Sequence, residues 1–172
     1  MSGLERPVVL VIAGTRPEAI KMAPVVTALR ARPEVETRLV LTGQHTDLVT
    51  DVLHRFALTP DHDLELMQPG QDLYDLANGC LPGLRTVVRE SRAVGMLVQG
   101  DTASVFFGAL VAFFERIWLG HVEAGLRSGD PDAPWPEENL RRMTDVLARC
   151  CFAPTPRAAA HLEREHLVGS TI

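Results

Sequence analysis

Six charged side chains stand directly after predicted strands or in the first turns of predicted helices, where a parallel sheet binds its ligands. They are three carboxylates and three cations: Asp101, Glu123, Glu137, Arg16, Lys21 and Arg141. A carboxylate in such a position can remove a proton from carbon, and cations beside it can stabilise a departing phosphate. The combination predicts proton abstraction next to a bound phosphate group.

The turn after the first apolar run carries two of these cations. Gly14 permits a tight turn, and Pro17 suits the first helical position, where its missing N–H costs nothing. The free N–H groups of a helix N-terminus attract anions, and Arg16 and Lys21 add positive charge. The turn lacks the G-x-G-x-x-G and Walker motifs, so a plain turn with surface cations is the simpler interpretation of this segment alone.

Lys21 is the only lysine in a chain that otherwise uses arginine. A genome biased toward arginine codons would leave a single lysine by chance. The alternative is that position 21 requires a compact ammonium group, which the planar guanidinium of arginine cannot replace. The position of Lys21, one turn into the first helix, adds weight to the second explanation.

Each carboxylate also has a structural interpretation. Asp101 follows a predicted strand and is placed to cap the next helix. Glu137 lies four residues before Arg141, so the two share a helix face and are placed to form a stabilising surface pair. His121 and Glu123, a base and an acid among glycines at a strand end, are harder to explain as core residues, and here we favour a function.

Alternating strand and helix patterns supply the framework for these side chains. Continuous β-branched and apolar runs indicate strands buried on both faces. Strands are predicted at 7–13, 37–42, 94–99, 116–121 and 150–153. Helices are predicted at 17–31, 45–57, 72–90, 102–115, 136–148 and 156–166. The alternation predicts an α/β fold with a doubly wound, mostly parallel, Rossmann-like sheet in which 7–13 is a central strand.

Local features add further expectations. The stretches 59–71 and 127–136 are rich in Pro, Gly and Asp and are predicted to be loops. Pro24 is expected to kink or shorten the first helix. Segment 102–115 is apolar nearly all round, which predicts a deeply packed helix. Glu138, about 100° around the helix from its neighbouring acid, is expected to point away from the site and to tolerate substitution.

Composition limits the class of protein. The chain has 172 residues, 46% hydrophobic and 23% charged, which suits a single domain with its own core. A net charge of −5 and the lack of a basic patch argue against nucleic acid or a membrane as partner. No apolar stretch is suited to spanning a bilayer, and the run at 7–13 indicates a strand rather than a signal peptide. The cysteines Cys80, Cys150 and Cys151 lack metal-ligand spacing and favour a reducing, cytoplasmic location.

Five stretches resemble the non-hydrolysing UDP-N-acetylglucosamine 2-epimerases of bacteria. They are GTRPEAIKMAP at 14–24, TGQH at 42–45, GDT at 100–102, HVEAGLRSGD at 121–130, and WPEE with Arg141 at 135–141. They occur in the order and spacing of the family. The resemblance implies that residues 1–172 form a single Rossmann-like domain, the N-terminal half of a two-domain fold similar to the GT-B glycosyltransferases. The C-terminal UDP-binding domain is then absent from this sequence.

The resemblance implies interconversion of UDP-GlcNAc and UDP-ManNAc, a precursor of cell-surface polysaccharides. The route is elimination of UDP followed by its re-addition, with inversion at sugar carbon 2 and without cofactor or metal. The positions that match the family's catalytic set are Asp101, Glu123 and Glu137, and those that match its substrate-binding set are Arg16, Lys21 and Arg141. Which carboxylate acts on which face of the sugar is left open.

The chain departs from the family pattern at two places. Leu140 stands just before the helix arginine, where the family usually has asparagine. Some members bind a second UDP-GlcNAc as an activator near TGQH and a downstream Arg-Gln pair. Gln44, His45 and Gln71 match that possible activator site, but Gly70 replaces the arginine.

The resemblance also implies a homodimer formed by this half, and the apolar helical content at 72–90 and 102–115 exceeds what one sheet face needs. The other half would come from further sequence or from a separate chain. Two alternative hypotheses are a non-catalytic domain that dimerises or binds a nucleotide sugar weakly, and half of a glycosyltransferase. Three carboxylates argue against the transferase, since transfer needs one base. Because half a cleft neither excludes water nor positions substrate, little activity is expected of the isolated chain.

Overall fold

The computed structural model describes residues 6–43, 46–66, 68 and 70–167. Within these ranges, six strands alternate with six helices. The strands are β1 (Val8–Ala13), β2 (Glu36–Leu41), β3 (His62–Asp63), β4 (Gly95–Gln99), β5 (Trp118–Val122) and β6 (Cys150–Phe152). The helices are α1 (Arg16–Arg30), α2 (Thr46–Arg55), α3 (Leu73–Ser91), α4 (Ala103–Phe114), α5 (Glu137–Leu147) and α6 (Pro156–Arg164).

The strands form one parallel sheet with the order β3-β2-β1-β4-β5-β6. Strand β1 lies between β2 and β4, pairing Val11 with Leu39 on one side and with Leu97 on the other. The predictions of a doubly wound parallel sheet and of a central first strand are therefore confirmed. Strand order reverses between β1 and β4, and in open α/β sheets ligands bind beyond the carboxyl ends of the strands at this point.

Side chains of β1 pack into two separate hydrophobic cores, one on each face of the sheet, as a strand buried on both faces requires. Leu10 and Ile12 pack with α3 and α4 on one face of the sheet. Val11 and Ala13 pack with α1 and α2 on the other. All four side chains are at most 1% exposed, which explains the lack of polar alternation in this run.

Side-chain caps explain where several helices begin. Thr15 caps α1 and Asp72 caps α3, each in a reciprocal capping box with the residue three positions later. Thr102 caps α4 by accepting a hydrogen bond from the Val105 N–H. The expectation that Pro24 shortens the first helix is wrong, since α1 continues past it to Arg30.

Two sequence predictions require correction. The predicted loop at 59–71 contains the short strand β3, which extends the sheet by pairing His62 with Val40. Helix α4 is deeply packed along most of its length, but Phe113 and Phe114 at its end are 60% and 62% exposed. In the part of the chain that the structure describes, no helix combines the length and apolar character needed to cross a bilayer.

Candidate active site

Four of the six predicted site residues form two ion pairs at the carboxyl edge of the sheet. The Lys21 Nζ on α1 lies 2.7 and 2.6 Å from the two carboxylate oxygens of Glu123, which follows β5. Arg141 on α5 donates through Nη2 to Asp101, which follows β4. The fold thus brings acids and cations from both sides of the switch point to one edge, as the sequence predicted.

Glu123 is held in a costly backbone conformation. Its φ is 67°, in the left-handed region that a residue with a Cβ enters at a cost of about 1–2 kcal/mol. Gln99, the last residue of β4, donates through Nε2 to the same carboxylate. Sequence reasoning missed Gln99, although a glutamine that ends an otherwise apolar strand next to the GDT stretch was a usable indication.

Asp101 belongs to a second cluster of charges. Arg141 Nη1 also donates to Glu138 at 3.0 Å, so one guanidinium bridges two carboxylates. The expected Glu137–Arg141 surface pair is therefore replaced by a Glu138–Arg141 pair. Capping by Asp101 is wrong too, since Thr102 is the residue that caps α4.

Glu138 is a structural residue of this cluster. It is only 1% exposed, and its carboxylate also accepts a hydrogen bond of 3.1 Å from the Ser128 N–H. The expectation that Glu138 points away is wrong, because the rotation of α5 turns it inward onto Arg141, and it is therefore no longer expected to tolerate substitution. The neighbouring Glu137 is half-buried.

Among the residues that the structure describes, the side chains of Glu137 and Arg16 form no hydrogen bond and no ion pair. Each residue nevertheless begins a helix at the carboxyl edge. Arg16 is exposed, and Glu137 is half-buried. The structure therefore places them at the rim of the site without joining them to the two ion pairs.

Glu18 is a buried carboxylate that sequence reasoning missed. Its Oε2 accepts from the Gly14 N–H at 2.6 Å and the Thr15 N–H at 3.3 Å, and its Oε1 accepts from the Thr102 hydroxyl at 2.8 Å. Burial raises the pKa of Glu18, and the hydrogen bond from Gly14 is the strongest opposing influence. The T-x-x-E spacing of a capping box was the available indication.

These contacts of Glu18 bear on the turn before α1. Free backbone N–H groups here would offer an anion site, whereas the simpler interpretation is a plain turn with surface cations. The N–H groups of Gly14 and Thr15 are instead occupied by the protein's own carboxylate. Positive charge at this turn is left to the side chains of Arg16 and Lys21.

His121 does not line the site. It is fully buried, with Nδ1 2.6 Å from an Asp145 oxygen and Nε2 2.8 Å from the Gly100 carbonyl. Of the predicted acid and base after β5, only Glu123 is accessible, with 24% of its side chain exposed. Gly125 in the same stretch has φ 80°, and a Cβ there would come within 2.4 Å of the Ala158 carbonyl, which accounts for its glycine.

The possible activator residues are only partly described. Gln71 donates to the Leu66 carbonyl and accepts from the Gln68 N–H, both at 2.8 Å, so its amide holds the loop before α3. Gln44 and His45 lie outside the described residues. The activator site therefore stays a prediction.

The three cysteines are buried free thiols. Burial raises the pKa of Cys80 to about 11 and that of Cys151 to about 12, which keeps both protonated and unreactive near neutral pH. Among the residues that the structure describes, no group of three His, Cys, Asp or Glu side chains is arranged to hold a metal ion.

Fold and site together define an α/β domain of the open-sheet class, with a cluster of acids and cations at its switch point. A sequence model of the UDP-N-acetylglucosamine 2-epimerase family matches residues 27–172. The chain belongs to this family, as the motifs predicted.

Curated relatives agree with this assignment. The UDP-N-acetylglucosamine 2-epimerase of Escherichia coli K12 is 46% identical over 164 residues, which cover 95% of this chain and 44% of the relative. A putative UDP-N-acetylglucosamine 2-epimerase of Thermotoga maritima is 47% identical over 161 residues, covering 94% of this chain and 43% of the relative. The chain thus spans less than half the length of these relatives.

Solved structures share the fold. The Neisseria meningitidis UDP-GlcNAc 2-epimerase bound to UDP-GlcNAc superposes with a TM-score of 0.89 at 40% identity, covering 92% of this chain and 43% of that one. The Methanocaldococcus jannaschii UDP-GlcNAc 2-epimerase in complex with UDP-GlcNAc and UDP superposes with a TM-score of 0.85 at 33% identity. The match covers 92% of this chain and 43% of that one. The similarity extends over nearly the whole of this chain.

Proposed function

We propose that this chain is the N-terminal catalytic half of a UDP-GlcNAc 2-epimerase, which converts UDP-GlcNAc to UDP-ManNAc for cell-surface polysaccharides. The observation that carries the proposal is the pairing of Lys21 with Glu123 and of Arg141 with Asp101 at the carboxyl edge of the sheet. Membership of the epimerase family supports it. A second, C-terminal half completes the cleft and binds most of the UDP.

The reaction needs a base, a group that returns a proton, and positive charge. The base takes the proton from sugar carbon 2, those electrons form the double bond between carbons 1 and 2, and UDP leaves with the electrons of the carbon 1–oxygen bond. Return of a proton to the opposite face of carbon 2, with re-addition of UDP to carbon 1, gives the epimer. Asp101, Glu123 and Glu137 are the proposed proton-transfer groups.

The ion pairs suggest how the substrate recruits these groups. Its diphosphate competes with Glu123 for Lys21 and with Asp101 for Arg141, so binding frees the carboxylates at the moment the leaving group gains its cations. Arg16, exposed at the start of α1, is the proposed first contact for the diphosphate. Glu137, which has no ion-pair partner among the described residues, needs no such release.

A reducing, cytoplasmic location fits the three buried free thiols, because intracellular proteins keep their cysteines reduced. We also propose that two copies of the chain associate. The support is the apolar surface at the end of α4 and the start of β5, formed by Phe113, Phe114 and Trp118, which are 60%, 62% and 41% exposed. We call it the α4-end patch.

The function is tested by following deuterium uptake at sugar carbon 2 in deuterated water with UDP-GlcNAc. The chain alone is compared with the chain joined to a C-terminal half, here called the assembled enzyme. That half is taken from the downstream reading frame or from the Thermotoga maritima relative. We expect little uptake by the chain alone and robust uptake and conversion by the assembled enzyme.

Two results would contradict the proposal. Robust conversion by the isolated chain would overturn the claim that the site is shared between two halves. Tight binding of UDP-GlcNAc by the assembled enzyme without any uptake of deuterium would favour the alternative, a non-catalytic nucleotide-sugar-binding domain.

A further inference from the structure

Directly beneath the site lies a buried imidazole–carboxylate pair that the proposed chemistry does not use. His121 on β5 and Asp145 on α5 are 0% and 1% exposed, and the His121 Nδ1 lies 2.6 Å from an Asp145 oxygen. Groups of this kind are costly to bury unless all their hydrogen bonds are satisfied. Their remaining contacts therefore indicate what the pair does.

Those contacts lead to the two turns that carry the site carboxylates. The second Asp145 oxygen accepts from the Gly125 N–H at 3.2 Å and from Arg127 Nη1 at 2.8 Å, both in the loop that Glu123 begins. The His121 Nε2 lies 2.8 Å from the carbonyl of Gly100, the residue before Asp101. Because a carbonyl only accepts, this ring nitrogen must be the donor.

One of the two turns has a backbone conformation that needs support. Gly100 has φ 87°, which glycine adopts readily, whereas Glu123, which has a Cβ, has φ 67°. The turns are also joined directly, since the Gly100 N–H donates to the Val122 carbonyl at 3.2 Å. Residues held in such regions persist only where the surrounding structure determines them. The His121–Asp145 pair is part of that surrounding structure, together with the Lys21 and Gln99 side chains that hold the Glu123 carboxylate.

Helix α5 is connected to the Asp101 turn by hydrogen bonds at two points. Arg141 bonds to the Asp101 side chain, and Asp145, one helical turn later, reaches the backbone of Gly100 through His121. The Asp101 side chain and its peptide are thus fixed from the same helix.

We propose that His121 and Asp145 are positioning residues that set the separation and orientation of Asp101 and Glu123. The donor at the Gly100 carbonyl is the essential contact, and Asp145 orients the ring that provides it. This inference rests on the proposed function for its catalytic consequence. Its structural consequence, the placement of the two turns, is measurable without any turnover.

Two amides at position 121 separate the proposed contact from general packing. Glutamine extends a donor to about the position of Nε2, whereas asparagine ends near Nδ1 and leaves Gly100 without a donor. In the 172-residue chain itself, we expect His121→Asn to shift the backbone amide NMR signals of Asp101 and Glu123, and His121→Gln to leave them close to wild type. If His121→Asn does not fold, His121→Leu, which fills the space of the ring without a donor for the Gly100 carbonyl, takes its place.

The matched control is Thr144→Val, one residue before Asp145. Thr144 is fully buried and donates to the Leu140 carbonyl at 2.8 Å, so its loss also removes a buried hydrogen bond from α5. We expect a lower melting temperature with the Asp101 and Glu123 signals unchanged. If Thr144→Val moves these signals as far as His121→Asn does, the pair is only structural and the inference is overturned.

In the assembled enzyme, His121→Asn is expected to lower kcat about 100-fold with KM changed only a few-fold, since small misplacement of reacting groups costs about this much. His121→Gln should recover most of that loss. Equal kcat for the two amides overturns the inference. Absence of turnover in the wild type counts against the proposed function alone, since the NMR comparison still decides whether the pair positions the two turns.

Discussion

Lys21 holds both oxygens of the Glu123 carboxylate, at 2.6 and 2.7 Å. A compact ammonium can sit between two oxygens and then turn to a phosphate, whereas a guanidinium binds through a planar fork. This geometry supports the view that the single lysine of the chain is required at position 21. Arg141 uses the planar fork instead, because its two Nη atoms donate to two different carboxylates, those of Asp101 and Glu138.

At the residue scale, the proposed proton-transfer roles predict the effect of neutral amides. In the assembled enzyme, we expect Asp101→Asn, Glu123→Gln and Glu137→Gln each to lower turnover by roughly 100- to 10,000-fold, because an amide cannot take up a proton. The fold should remain intact by circular dichroism. Deuterium uptake at sugar carbon 2 measures the proton abstraction itself.

The control for these variants is Glu163→Gln. Glu163 is an exposed acid on α6, whereas Glu138 is buried and bonded to Arg141 and is therefore unsuitable. If all four substitutions affect turnover alike, or if none reduces deuterium uptake, the three carboxylates serve only in ion pairing and helix packing.

The positions of the site residues were predictable from the sequence, but the partners with which they form ion pairs were not. The position of Lys21, Asp101, Glu123 and Arg141 after strands or early in helices placed them at one edge, because parallel strands all end there. The sequence could not show that Glu138 rather than Glu137 faces Arg141. That depends on the rotation of α5 about its axis, which tertiary packing decides.

At the element scale, Glu18 links the start of α1 to the start of α4 through hydrogen bonds. One carboxylate oxygen binds the turn after β1 and the other binds the Thr102 hydroxyl, across the switch point of the sheet. Residues 84 positions apart in the chain are thereby joined. The two turns that carry Arg16 and Asp101 should move together as a result.

The raised pKa of Glu18 predicts a pH-dependent contribution to stability. Burial makes the folded protein bind the Glu18 proton more tightly than the unfolded chain does. Relative to Glu18→Gln, wild type should therefore be most favoured below the ordinary glutamate pKa of about 4.3. The advantage should be lost as the pH rises through the raised value.

Urea unfolding of both proteins between about pH 4 and pH 8 measures this difference. A difference in the free energy of unfolding that stays constant over the range would contradict the prediction. Thr102→Val removes the hydroxyl donor to Glu18 and is expected to lower stability at the high-pH end most, where the carboxylate is ionised.

The bounds of most elements were predictable within a few residues, because buried parallel strands have an unbroken apolar run and the helices have capping residues. Strand β3 was not. It has two residues at the edge of the sheet, in a stretch rich in Pro and Asp, and its pairing partner β2 determines it. Two residues are too few to show any periodicity.

At the scale of the whole molecule, the α4-end patch predicts self-association. We expect a dimeric mass by light scattering at micromolar concentration, because large exposed aromatic side chains gain by mutual burial. Replacing Phe113 and Phe114 by serine should give a monomer. The control is Phe56→Ser, since Phe56 is also exposed, at 44%, but follows α2 on the opposite face of the sheet.

A monomeric mass for wild type would show that the patch serves another purpose. The patch itself was only partly predictable. The unusually apolar run of α4 suggested more hydrophobic surface than one sheet face needs, but the sequence did not show which side chains stay exposed. The single-domain boundary at 1–172 also remains a prediction.

Glu18 has one more consequence for recognition. Its carboxylate occupies the N–H groups of Gly14 and Thr15, which could otherwise bind an oxyanion. At this turn the protein thus binds a carboxylate of its own. Recognition of a phosphate at this turn would then rely on attraction to Arg16 and Lys21 rather than on the N–H groups of Gly14 and Thr15. Discrimination among phosphorylated compounds would consequently fall to the sugar and the base of the ligand.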